Sequence, residues 1–250
     1  MEAFVADAIS QPALIPLSEG QRIVDTFVAP TKTFTDILRK SSWWGPLIIL
    51  IVMSVLFSFA VQTKVGWERV FENNLHQNSK QEERFSQMPP EQAETTKAIS
   101  AKITAAVTYA YWAFALLFTA IMSLLVWATV NFGFGGTAKY GQIFAVHMYA
   151  SLVLNLKYIL AVISLFAGLA PDSFELQNSV GTNIGFYLSS DAPRWLWTFC
   201  THLDVFEIWS LVLSVIGVAI VAKVARGKAA AAVVGWWLVT VLLLTVVAAI

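Results

Sequence analysis

The chain has 250 residues, of which 57% are hydrophobic and 13% charged, with a mean hydropathy of +0.66. A soluble domain carries about 25% charged residues, which a water-facing surface needs and a lipid-facing one does not tolerate, so this composition excludes a soluble fold and specifies a multi-span membrane protein. Sixteen basic residues balance sixteen acidic ones, leaving no net charge to draw the chain to nucleic acid; a lone cysteine, Cys200, excludes an internal disulfide and a cysteine-rich zinc site.

The first apolar run begins only after Trp43, too far along for a cleaved signal peptide. Residues 1–43 are expected to form a cytoplasmic amphipathic segment and residues 44–250 a membrane domain. Within the former, "APTKTFTDILRK" (29–40) predicts a short helix capped by Thr31 or Thr33, with Phe34, Ile37 and Leu38 on one face. Its basic residues Lys32, Arg39 and Lys40 suit a helix lying on a membrane surface; a linker that only supplies positive charge is the alternative.

Lipid offers backbone groups no hydrogen-bonding water, so each crossing is a helix of about 20 apolar residues. Five runs qualify: Trp44–Val61, Thr104–Val130, Ile143–Gly168, Val205–Val224 and Ala229–Ile250. Between the first two, residues 62–103 read as two helical pieces broken at "MPPEQAE", the second running on into the second span. "NFGFGGTAKYG" (131–141) lacks the phosphate-binding order G-x-x-x-x-G-K-[ST] and reads as the turn into the third span. The connection before the fourth span ends in "RWLWTFCTHL", whose aromatics suit an interface.

Basic residues mark the cytoplasmic side of short loops. With the N-terminus inside, that side holds Arg22, Lys32, Arg39, Lys40, Lys139, Lys223, Arg226 and Lys228. The other side holds Arg194 and the six basic residues of the first loop. The shortest link, Lys223–Lys228, contains no acid, and it favours a cytoplasmic N-terminus and an outside C-terminus.

Lys157 stands near the middle of the third span, where an isolated lysine costs about 2.5–3.5 kcal/mol. A snorkelling ammonium paired with Asp204 or Glu207 at the start of the fourth span would relieve that cost. A small transporter or permease subunit using Lys157, His147 and Asn155 is the rival reading. His147, Ser151 and Tyr158 suggest a polar stripe bonding to a neighbouring helix. His202, Asp204 and Glu207 are spaced i, i+2, i+5 and share no helical face, which predicts a hydrated rim. No metal site is expected, because His147 lies near the opposite end from those three. Neither G-x-S-x-G nor H-E-x-x-H occurs, so no catalytic residue and no cofactor are expected.

"FVAPTKTFTDILRKSSWWGPLIIL", "MPPEQAETTKAISAKI", "FGGTAKYGQIFAVHMYAS" and "LDVFEIWSLVLSVIGVAIVAKVARGKAAAAVVGWW" together resemble the bacterial branch of the Yip (Ypt/Rab-interacting protein) membrane family, from Phe27 to Trp237. The resemblance implies an all-α integral membrane protein with five spans, a cytoplasmic N-terminus, and association with itself or other membrane proteins. It also implies a non-catalytic role in membrane organisation or assembly, among the lipids of a bacterial cytoplasmic membrane. The D-L-Y-G-P motif expected in members that contact small GTPases is missing, so GTPase binding is not carried over.

Overall fold

The computed structural model describes residues 16–249 except 77, 78 and 190. Among the described residues, two helices precede the first span. α1 (Glu19–Val28) starts at a capping box: Ser18 Oγ accepts from the Gln21 amide, and Gln21 Oε1 accepts from the Ser18 amide. This S-x-x-Q signal marks a helix that the hydropathy reading left out. Ala29 alone joins it to α2 (Pro30–Arg39), whose Pro30 sits in the first turn, where a missing N–H costs little.

α2 departs from the membrane-surface expectation. Phe34 and Ile37 are fully buried against the spans, and only Leu38 of that face is exposed. No side chain caps α2. Thr33 instead donates to the Arg22 carbonyl (2.9 Å) and ties the two short helices together. Gly217 makes room for this docking, because a Cβ there would collide with Val146 and the Phe34 ring.

The first span is α3 (Trp44–Lys64). After it come α4 (Trp67–His76), α5 (Ser79–Ser86) and α6 (Pro90–Tyr109). α6 lies along α4, joined by the Lys97–Glu72 ion pair (2.7 Å) and by Trp67, Val70 and Ala101, which extend the buried cluster of the first span. α6 does not run unbroken into the second span, as the sequence suggested. Ala110 leaves helical geometry (φ −88°, ψ 6°) and the Ala113 amide bonds its carbonyl, three residues away, so α6 ends there and α7 (Tyr111–Ala128) begins.

A π-turn at Thr129–Gly133 closes the second span. Asn131 bonds both the N–H and the C=O of Ala138, Gly135 takes a left-handed φ of +74°, and Gly136 has the Val130 carbonyl where a Cβ would be. The glycine-rich stretch is a turn. The third span is α8 (Tyr140–Ala150), a 3-10 turn (Ser151–Leu154) and α9 (Asn155–Phe166). Ser151 and Asn155 bond back to the Met148 and Leu152 carbonyls on either side of that turn.

α10 (Arg194–Thr201) lies in the connection to the fourth span, α11 (Val205–Ala222), and α12 (Arg226–Ala249) is the fifth. The third span is central, with Ile143, Val146, Tyr149, Ala150 and Val153 fully buried. α7 and α12 are peripheral: 17% of each is buried against 39% of the other three spans, so most of their apolar surface faces outward.

The fourth span is six residues shorter than the fifth. Trp237 donates to Glu207, yet α12 continues twelve residues to Ala249, about 18 Å of helix. The chain from 167 to 204 fills the space above α11, with α10 packed along α12. Part of this connection is buried, at Phe174, Asn178, Val180 and Asn183, whereas Ile184, Phe186 and Tyr187 are exposed.

Candidate functional site: a buried lysine–aspartate hub

Asp204 is the N-cap of α11 and is fully buried. One carboxylate oxygen accepts from the amides of Phe206 (2.8 Å) and Glu207 (3.3 Å). The other accepts from the Thr182 hydroxyl (2.6 Å) and lies 3.1 Å from Lys157 Nζ. An N-cap acid already sits at the positive end of a helix dipole, and the ammonium adds a full charge. The backbone supports the hub: Val205 N–H donates to the Thr182 carbonyl, and Asn183 pairs with Asp204 as an isolated antiparallel bridge. Asn183 caps the next 3-10 turn by accepting from the Phe186 amide and donates to Asn178 (2.6 Å).

Of the two acids the sequence offered to Lys157, the structure brings Asp204 into contact. Glu207 engages His202 Nδ1 (3.2 Å) and the Trp237 indole N–H (3.4 Å), and both His202 and Glu207 remain partly exposed. The hydrated-rim expectation therefore fails for Asp204: residues 178–204 fold back over it, which local spacing does not encode. Lys157 itself lies near the middle of the Tyr140–Phe166 span, as the sequence placed it, with nine residues of α9 beyond it, about 13 Å along the helix.

His147 and Asn155 are not part of the hub. His147 Nδ1 lies 2.8 Å from Ser123 Oγ, and that hydroxyl gives its one proton to the Thr119 carbonyl, so the imidazole is the donor. Of the suggested polar stripe, Ser151 bonds within its own helix, and Tyr158 meets the Phe57 and Tyr111 rings. Asn155 is buried, and its Oδ1 has no partner, nor do the buried Ser54 and Ser58 hydroxyls. Among the described residues no group of three His, Cys, Asp or Glu is placed to hold a metal.

A second ionic cluster, outside the candidates drawn from the sequence, pins α1 and α2 at the other end of the bundle. Arg22 is 1% exposed, and its Nε donates to Asp36 (2.7 Å), which also accepts from Arg39 Nε (2.9 Å). Tyr149 of the central span donates to Glu19 (2.5 Å). Burial alone would raise the Asp36 pKa; hydrogen bonds and charge from Arg39 and Arg22 outweigh it and hold the carboxyl below its ordinary value. The one available signal was a basic residue within the first turn after a capping box.

Apolar spans, internal ion pairs and a folded-back connection define an all-α integral membrane protein. A family model described as the Yip1 domain matches residues 24–248, so the chain belongs to that family. No curated protein and no solved structure matches it.

Proposed function

We propose that this chain is a non-catalytic protein of membrane organisation or assembly, working through helix–helix association with itself or with other membrane proteins. The observation that carries this reading is the Lys157–Asp204 pair: the one lysine within the third span has its counter-charge 3.1 Å away, under a covering connection. A transported ion or substrate needs such a charge to be reachable and exchangeable. Two clefts outside the spans are lined by neither Lys157 nor Asn155. The transporter reading has one feature on its side, the unpartnered Ser54, Ser58 and Asn155 oxygens between spans one and three. The outward apolar faces of α7 and α12 are the surfaces for association with other spans or lipid.

The reading places the N-terminus in the cytoplasm of a bacterial cell and the C-terminus outside, supported by the basic turns at Lys139 and Lys223–Lys228. Reporters fused to each terminus test the orientation; both on one side sinks it. Two differently tagged copies, coexpressed and taken from native membrane in mild detergent, test the association. Co-capture that survives dilution is expected, whereas monomers alone, with labelling of Lys157 by a water-soluble amine reagent in intact membranes, would favour transport.

A further inference from the structure

A cleft of about 390 Å³ opens at the end of the bundle that carries the two long connections, between α4, α6 and the 167–204 segment. Its lining mixes polar Asn74, Ser100, Gln177 and Arg194 with apolar Phe71, Leu75 and Ile103. Arg194 is its cation. The guanidinium stacks on Trp197 (4.1 Å) and donates to Gln177 Oε1 (3.0 Å). Its charge is felt by Glu175, whose burial raises the carboxyl pKa more than Arg194 lowers it, which weakens that acid as a competitor. The neighbouring cleft differs: there Lys97 pairs with Glu68 and Glu72, and Arg69 with Glu72 and Asp172.

The position suits a lipid. Ile103 lies eight residues before the start of α7 at Tyr111, about 12 Å along the helix, so the cleft stands at or just above the headgroup layer. Half-exposed Trp195 beside Arg194 marks the same level, since tryptophan concentrates where headgroups meet chains. From the cleft, exposed Ile103 and Val107 share one face of α6 and lead to exposed Phe114 and Phe118 of α7, a continuous apolar track toward the bilayer interior.

We propose that this cleft holds the headgroup of a membrane glycerophospholipid, its phosphodiester on Arg194 and an acyl chain along the Ile103–Val107 face. A guanidinium matches phosphate oxygens in charge and geometry, and the apolar Leu75 and Ile103 beside it suit the start of an acyl chain.

Native mass spectrometry of the full chain in detergent, titrated with phosphatidylglycerol, tests this. R194Q removes the charge and is expected to weaken lipid binding about tenfold, from the strength of a charge-assisted hydrogen bond. Because R194Q also loses the Trp197 stack, S100W is the second variant: it fills the cleft from α6, leaves Arg194 in place and is expected to lose the adduct. K139Q, at the opposite end, is expected to bind as the parent does. Parent-strength binding by R194Q, or an adduct retained by folded S100W, overturns the proposal. Equal displacement by soluble glycerol phosphate also overturns it, since the site would then take a free phosphoester.

Discussion

Replacing Lys157 by Met tests the hub most directly. The substitution keeps length and apolar stem and removes only the ammonium, leaving Asp204 fully buried with its charge uncompensated. Breaking a buried pair by deleting one partner costs about 3–5 kcal/mol. Two features pull this case toward the lower figure: Lys157 is 22% exposed, and Asp204 keeps the Thr182 hydroxyl and two backbone amides. An expected loss of about 3 kcal/mol corresponds to a fall in Tm of roughly 6–12 °C for a chain of this size. The assay is thermal unfolding in detergent followed by tryptophan fluorescence, with abundance in the membrane fraction as a second readout. D204N alone retains a capping side chain but strands the lysine, and K157M/D204N removes both charges. The double variant is expected to lose less than the two single losses combined, because the pair acts as a unit. Parent-like unfolding of K157M, or strict additivity in the cycle, would refute a stabilising hub.

At the other end, D36N leaves Arg22, 1% exposed, with only the more distant Glu19 (3.6 Å) as counter-charge, and is expected to loosen α1 and α2; faster proteolysis near Ala29 with the spans intact is the readout. The pH dependence has a definite sign. Asp36 has a lowered pKa in the folded chain, so its contribution is present above the ordinary carboxylate pKa and is lost as pH falls through the lowered value. Acidification should therefore expose the link in the parent more than in D36N, and equal profiles would exclude Asp36 as the titrating group. G217A places a methyl group against Val146 and Phe34 and is expected to cost about 1–3 kcal/mol, measured by the same thermal assay. An unchanged Tm would mean that α2 gives way without loss.

How far the sequence reached depends on which effects are local. Crossing segments are legible because lipid forces every backbone group to bond within its own helix, and run length alone then reports a span. The need of Lys157 for an acid is equally legible, since an unpaired ammonium at that depth is costly. Which acid answers it is not, because Asp204 and Glu207 are three residues apart and only the folding of residues 178–204 over the former separates them. The break at Ala110 escaped because no proline or glycine announces it.

The sequence by itself determined that the chain crosses a bilayer, where each crossing lies, which family pattern it follows, and which turns carry glycine. Only the tertiary structure decided that α2 buries Phe34 and Ile37 against α8 and α11, and that a folded-back connection stands over the start of α11, which is six residues, about 9 Å, shorter than α12. The physical reason is that a membrane protein offers an apolar stripe two apolar destinations, lipid and neighbouring helix. Hydropathy scores both alike, so the choice rests on shape: a glycine at 217 that admits a phenyl ring, and a connection long enough to fold back and cover an aspartate.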